Sequence, residues 1–83
     1  MKDEWEAFSD KARRDIIKLL KKRPHTAGEI ADQFELSAAT VSHHLSVLKR
    51  HELIFADKRK QTIIYSLNAN AVKKFRLEAK DLF

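Results

Sequence analysis

Hydrogen-bonding side chains concentrate between residues 37 and 50, where apolar residues recur at helical spacing. At about 100° per residue, Val41, Leu45 and Leu48 form one inward stripe of a helix. The other side and its flanks carry Ser37, Ala39, Thr40, Ser42, His43, Ser46 and Arg50. Short side chains let a helix enter the DNA major groove, where hydroxyl and imidazole groups can bond base edges and phosphates. We therefore predict that this face contacts double-stranded DNA. An ordinary solvated face is the alternative, but Ser and Thr contribute little to helix propensity there.

The four histidines, His25, His43, His44 and His51, do not have the arrangement of a metal site. On a helix, His43 and His44 point about 100° apart, no carboxylate completes a ligand set, and the chain has no cysteine. No Ser-His-Asp arrangement or glycine-rich phosphate loop is present either. We therefore predict no metal, no cofactor and no enzymatic activity. His44 is expected to form a hydrogen bond at the edge of the core.

The elements that position this face read as a helix-turn-helix. Thr26 precedes one helix, with Glu29 at the spacing of a capping box, and Ser37 caps the next helix, which runs from Ala38 to about Arg50. An earlier helix is expected from about residue 10 to residue 23, capped by Ser9 and ended by the following proline. A short helix should precede it.

After residue 50 the pattern changes to that of strands. The segments 53–57 and 61–67 are rich in β-branched and aromatic residues, and Lys58, Arg59 and Lys60 lie between them. A hairpin directly after a helix-turn-helix makes a winged helix, whose three tip cations could reach a phosphate backbone or the minor groove. A solvated turn is the alternative. The tip has no Gly, Asn or Pro, so an ordinary residue must adopt an unfavourable turn conformation.

Apolar residues at both ends of the chain suggest a second copy as partner. Asn70 is a plausible cap for a last helix, whose apolar stripe is Val72, Phe75, Ala79 and Leu82. Trp5 and Phe8 add aromatic surface at the other end. We predict that these six residues form a homodimer interface, although the last helix could instead pack only on its own domain.

Length and charge agree with a small nucleic-acid-binding protein. Eighty-three residues predict one domain, 1–83, that is mostly helical with a β-hairpin, in the order α-α-α-α-β-β-α. Seventeen Lys and Arg against twelve Asp and Glu give a net charge of +5, which favours nucleic acid or an acidic membrane as partner. No apolar run is long enough to span a bilayer, so we expect no membrane insertion and a cytoplasmic location.

Several segments carry a family resemblance: Phe8-Ser9-Asp10-Lys11-Ala12-Arg13-Arg14, Thr26-Ala27-Gly28-Glu29-Ile30-Ala31, Val41-Ser42-His43-His44-Leu45 and Ile64-Tyr65-Ser66-Leu67. The chain resembles the ArsR/SmtB family, and most of all its small metal-independent autorepressors. The resemblance implies a homodimer paired through its terminal helices, a recognition helix from Ala38 to about Arg50, and a wing around residues 58–60. It also implies repression by occupation of operator DNA.

The chain departs from the family's metal sensors. Those proteins place Cys pairs near the recognition helix, or Asp and His ligands on the last helix. Here there is no Cys, and the last helix has Glu78 and Asp81 but no His. No family metal site carries over. The wing is also shorter than in many relatives and lacks their usual glycine.

A winged helix used as a protein-interaction module is the competing interpretation. Glu29, Asp32 and Glu35 near the supporting helix give it some weight. Against it, the outer face of the recognition helix has no large apolar residue apart from Val47. The salt dependence of binding to duplex DNA would discriminate the two.

Overall fold

The computed structural model describes the backbone of residues 4–78 and the side chains of residues 6–74. This part of the chain begins and ends with a helix, and three short strands occur between those two helices in the sequence. The elements are α1 Glu4–Phe8, α2 Lys11–Lys22, β1 His25–Thr26, α3 Ala27–Phe34, α4 Ala38–Arg50, β2 Ile54–Arg59, β3 Thr62–Leu67 and α5 Ala69–Glu78. This order confirms the predicted winged helix-turn-helix. The two-residue strand β1 was not predicted.

The helix-turn-helix begins where the sequence predicts. The Thr26 hydroxyl accepts from the amide of Glu29 at 3.1 Å, and the Glu29 carboxylate accepts from the amide of Thr26 at 2.8 Å. This bond to the amide of Thr26 lowers the pKa of Glu29. Ser37 caps α4 by accepting from the amide of Thr40 at 3.1 Å. Both helices of the helix-turn-helix therefore begin at a side chain that satisfies an amide of the first turn.

Two other predicted caps were wrong by one or two residues. Asp10, not Ser9, caps α2, because its carboxylate lies three residues before the amide of Arg13 and accepts from it at 3.1 Å. The Ser9 hydroxyl donates instead to the carbonyl of Glu6. Asn68, not Asn70, precedes α5, and its carbonyl accepts from the amide of the residue four positions later at 3.1 Å.

The strands form one antiparallel sheet in the order β1-β3-β2. The hairpin register runs from Ile54 opposite Leu67 to Arg59 opposite Thr62. The turn therefore holds only Lys60 and the residue after it. Lys60 has φ 56°, which confirms that an ordinary residue takes the unfavourable conformation.

Buried apolar side chains from the helices and the hairpin form one core. Its fully buried large members are Phe8, Ile16, Ile17, Ile30, Val41, Leu48 and Leu53. Phe8 is 0% exposed and Val72 is 2% exposed, so both belong to the core of the single chain. This corrects their predicted place in a dimer interface, because neither leaves surface for a second copy.

The other predicted interface residues are Trp5, Phe75, Ala79 and Leu82. They lie outside the residues whose side chains the structure describes. Among the described helices, none has the length and apolar character that crossing a membrane requires.

Candidate nucleic-acid interface

The recognition helix α4 has a buried side and a fully exposed side. Its buried residues are Val41, His44, Leu45, Val47 and Leu48. The residues predicted to contact DNA are all exposed: Ser37, Ala39, Thr40, Ser42, His43, Ser46 and Arg50. Val47, the one large apolar residue assigned to the outer face, is only 3% exposed. The outer face therefore has no apolar anchor for a protein partner.

A three-residue turn sets the position of α4 against α3. Glu35 adopts the left-handed conformation, with φ 54° and ψ 42°, and ends α3. The amide of Leu36 donates to the carbonyl of Ala31 at 3.0 Å, and the Leu36 side chain packs against the core. This bond and this contact fix the turn from both sides before Ser37 begins the next helix.

Two hydroxyl groups meet at the start of α4. The Ser37 hydroxyl accepts from the Thr40 amide and donates to the Thr40 hydroxyl oxygen at 2.9 Å. A hydroxyl group has one proton and two lone pairs, so Thr40 keeps its own proton for another acceptor. Thr40 is exposed, and this donor can therefore reach a base edge or a phosphate.

Behind this exposed face, His44 lies at the edge of the core as predicted, and it is 7% exposed. Its Nδ1 lies 3.2 Å from an Arg13 guanidinium nitrogen, which can only donate, so Nδ1 is the acceptor. Burial lowers the pKa of His44, and the charges of Arg13 and His43 reinforce this against the opposing charge of Asp10. The imidazole is therefore favoured in its neutral form.

The carboxylate of Asp10 also belongs to this cluster. Desolvation opposes its ionisation, but the amide of Arg13 and the charges of His44 and Arg13 outweigh that cost and hold the pKa of Asp10 below its usual value. Asp10 thus serves both as the cap of α2 and as a negative group 4.0 Å from His44 Nε2.

Arg13 is the residue of this region that the sequence did not single out. It is 8% exposed, and its guanidinium also donates to the carbonyls of Glu6 at 2.7 Å and Ala7 at 3.1 Å. Arg14 donates to the carbonyl of Phe8 at 2.6 Å. Two arginines of α2 therefore satisfy the last carbonyls of α1, which lack partners within so short a helix.

At the other end of α4, Arg50 is held by an acid from α1. Its guanidinium donates to Glu6 Oε1 at 2.7 Å, and His51 Nε2 donates to the same oxygen at 2.8 Å. These two partners, with the His51 bond the stronger cause, lower the pKa of Glu6 to about 2. Arg50 is exposed as predicted, but it carries an ion pair that the sequence pattern did not indicate.

The three cations of the wing occupy positions that differ from the prediction. Lys58 and Arg59 lie in β2, and only Lys60 is in the turn. Side chains alternate along a strand, so Lys58 and Arg59 point to opposite faces of the hairpin. Arg59 also pairs with Asp57 at 2.8 Å. The cations therefore surround the end of the wing instead of clustering at its tip.

The hairpin also carries the two exposed large apolar side chains of the described region, Phe55 and Ile63. Phe55 lies opposite Ser66, and Ile63 lies three positions before Ser66 on the same strand, an odd separation. They therefore occupy opposite faces and do not form one apolar patch.

The histidines do not converge on a metal centre. His25 donates from Nδ1 to the carbonyl of Arg23 at 2.8 Å, while His44 and His51 contact the residues given above. His43 is exposed, with its ring centroid 5.7 Å from that of His44. Within residues 6–74 no group of three or more His, Cys, Asp or Glu side chains could hold a metal ion.

The fold and the exposed face of α4 define a winged helix-turn-helix DNA-binding protein. The family described as "Helix-turn-helix domain" matches residues 8–54. The transcriptional repressor SdpR of Bacillus subtilis is 42% identical over 73 residues, which cover 88% of this chain and 81% of that protein. The transcriptional activator HlyU of Vibrio cholerae is 33% identical over 67 residues, which cover 81% of this chain and 62% of that protein.

The solved structures include one described as a possible transcriptional regulator for arsenical resistance. It matches with a TM-score of 0.87 and 25% identity, over 98% of this chain and 84% of that one. The chain belongs to the ArsR/SmtB family of winged-helix transcriptional regulators. Its activity is therefore regulation of transcription through DNA and not catalysis, as the sequence predicted.

Proposed function

We propose that this chain is a metal-independent repressor that binds an inverted-repeat operator as a homodimer. The outer face of α4 carries the proposal: it is exposed throughout, built from short or hydrogen-bonding side chains, and every large apolar residue of the helix is buried. A helix with these properties can approach base edges without steric obstruction.

The proposed contacts divide into reading and positioning. Thr40 and His43 are the candidates for base edges, and Ala39, Ser42 and Ser46 allow close approach of the helix. Ser37 orients Thr40 through the hydroxyl bond described above. Lys58, Arg59 and Lys60 of the wing contact the phosphate backbone, where cations contribute affinity without sequence information.

The dimer places two recognition helices on one duplex. We assign its interface to Trp5, Phe75, Ala79 and Leu82 and leave out the two core residues Phe8 and Val72. In a two-fold dimer the preferred DNA site is an inverted repeat whose half-site centres lie about 34 Å apart, one turn of DNA. A single recognition helix would bind much more weakly.

The ligand residues of the chain support independence from metal, and its relatives support repression over activation. The chain has no cysteine, and three of its four histidines already have intramolecular partners. Repression is favoured because the relative described as a repressor is 42% identical and the one described as an activator 33% identical. As a regulator that acts on DNA, it would act in the cytoplasm.

The test begins with selection of bound fragments from genomic DNA, followed by footprinting. We expect a protected inverted repeat and an affinity that falls steeply with salt, by a log-log slope of about −0.9 per phosphate neutralised. Salt-insensitive binding, or no duplex binding, would favour the protein-interaction module. Protection of one asymmetric half-site would contradict the dimer.

Reading by Thr40 is tested with a matched pair of variants. Thr40→Val removes the hydroxyl and keeps the shape, whereas Thr40→Ser keeps the hydroxyl. We expect Thr40→Val to cost about 1 to 3 kcal/mol on the selected site and less on random DNA, because the variant cannot donate to a base edge. Thr40→Ser should weaken binding much less. Equal weakening on both DNAs would show that Thr40 contacts only phosphate.

Positioning by the wing is tested by changing Lys58, Arg59 and Lys60 together to Ala. All sequences should be weakened about equally, and the salt slope should become shallower by about 0.9 for each phosphate that the variant no longer neutralises. The control removes three exposed lysines of α2: Lys18, Lys21 and Lys22. If both triple variants have the same effect, net charge and not the wing sets the affinity.

A further inference from the structure

Arg50 lies on the exposed side of α4, which we propose faces DNA, yet its guanidinium forms an ion pair with another part of the same chain. Its guanidinium lies 2.7 Å from Glu6 Oε1, a carboxylate 44 positions earlier on α1. Both side chains are about half exposed, at 58% for Arg50 and 48% for Glu6. The pair is therefore within reach of solvent and of any anion that approaches the end of the recognition helix.

Glu6 is held in this position by groups other than Arg50. His51, only 6% exposed, donates from Nε2 to the same carboxylate oxygen at 2.8 Å. Its Nδ1 has no hydrogen-bond partner, so the bond to Glu6 is the one hydrogen bond of this buried ring among the described residues. The backbone of Glu6 is fixed as well, since its carbonyl accepts from Arg13 and from Ser9.

The carboxylate also carries a full charge at neutral pH. Its pKa lies at about 2 because His51 and Arg50 stabilise the ionised form. A DNA phosphate that is to bind Arg50 must therefore displace an anion that the fold holds in place. As long as Glu6 keeps Arg50 in the ion pair, the guanidinium does not neutralise a phosphate and adds nothing to the salt dependence of binding.

We propose that Glu6 competes with DNA phosphate for Arg50, so that the N-terminal helix limits the affinity of the recognition helix for DNA. Glu6 acts through Arg50 and is a positioning residue, not a DNA contact. The inference rests on the proposed DNA-binding function. Through this pair α1, an element also assigned to the dimer, controls one charge on the DNA-binding face.

The experiment is a double-mutant cycle with Glu6→Gln and Arg50→Gln, in which affinity for a duplex is measured against salt. Gln at position 6 can still accept from His51 but no longer holds a guanidinium by charge. We expect Glu6→Gln to tighten binding about two- to five-fold at low salt, the scale of an exposed ion pair. The log-log slope should steepen by about 0.9, the value for one additional phosphate neutralised.

The other variants separate this mechanism from a simple change of charge. Arg50→Gln alone should leave the slope unchanged, and in the Glu6→Gln background it should abolish the increase in affinity. Asp15→Asn is the matched control, because it frees Lys11 from an ion pair of 2.7 Å on α2. Asp15→Asn should not steepen the slope to the same extent.

Several results would overturn the inference. They are an unchanged slope in Glu6→Gln, an equal increase in affinity when Arg50 is absent, an equal increase in Asp15→Asn, or a shallower slope in Arg50→Gln alone. Circular dichroism of each variant confirms that α1 and α4 remain folded. If the unaltered chain binds no duplex at any salt concentration, the proposed function fails first, and that outcome is distinct from a failure of the competition.

Discussion

Arg13 should contribute more to stability than any other charged residue of α2, because one buried guanidinium bonds three separate groups. Its partners are the carbonyls of Glu6 and Ala7 and the Nδ1 of His44, at 2.7, 3.1 and 3.2 Å. Hydrogen bonds to charged groups contribute about 1.5 to 3 kcal/mol each. Arg13→Met keeps the apolar stem but removes all three bonds. It also avoids burial of a charge, so the net destabilisation should be about 2 to 4 kcal/mol.

That destabilisation is a large part of the total for a chain of 83 residues, whose free energy of unfolding should be about 4 to 12 kcal/mol at 0.05 to 0.15 kcal/mol per residue. The matched control is Arg14→Met, which removes the same charge but only one bond, to the carbonyl of Phe8. It should cost only about 1 kcal/mol, because Arg14 is partly exposed and water can replace its bond. Urea unfolding followed by circular dichroism measures both. If Arg13→Met is no less stable than Arg14→Met, the three bonds of Arg13 do not stabilise the fold as inferred.

Three other variants test separate parts of the structure. Burial lowers the pKa of His44 from 6.5, so just below pH 6.5 the unfolded chain binds a proton that the folded chain does not. The unfolding free energy of the unaltered chain should therefore fall from pH 7 to pH 5 more than that of His44→Gln, as measured by urea midpoints. Lys60→Gly relieves a residue at φ 56° and should stabilise the fold by about 0.5 to 1 kcal/mol while weakening DNA binding; a decrease in thermal stability would contradict this. Phe75→Glu should give folded monomers in sedimentation, whereas Asn70→Glu, with the same charge change, should stay dimeric; a dimeric Phe75→Glu would move the interface elsewhere.

Local chemistry explains why much of the fold could be predicted from the sequence. The caps at Thr26 and Ser37 are contacts over three residues, and the apolar period of α4 separates its two faces without tertiary information. Those signals located the helix and its exposed side, except at Val47, which was assigned to the outer face and is buried. The capping errors at Ser9 and Asn70 are also local and amount to one or two positions. Several polar residues lie close together there, and the backbone conformation determines which one accepts from an amide.

The parts that could not be predicted depend on contacts between distant positions. Glu6 and His51 are 45 positions apart, and Arg13 and His44 are 31 apart, so no local period connects them. Phe8 shows a related limit. An apolar stripe indicates that a face will be buried, but the same residues could be covered by their own chain or by a second copy.

The wing shows how one wrong boundary changes a functional interpretation. Ending the strand at Asp57 placed three cations together at a tip. The paired strand continues to Arg59 and distributes those cations over two faces and the turn. The predicted strands had unequal lengths, and matching them would have extended the first strand into the cations. We instead assigned the cations to a loop, because charged residues are uncommon in strands.

The two residues of β1 connect the wing directly to the helix-turn-helix. Thr26 pairs with Ile64 of β3 and is also the cap from which α3 begins. A tilt of the hairpin against a DNA backbone therefore moves the first turn of α3, with no flexible linker between them. In the proposed complex, the wing and the helix-turn-helix should therefore respond together to a bent or widened groove, and a change of wing length would alter the angle at which α4 meets the bases.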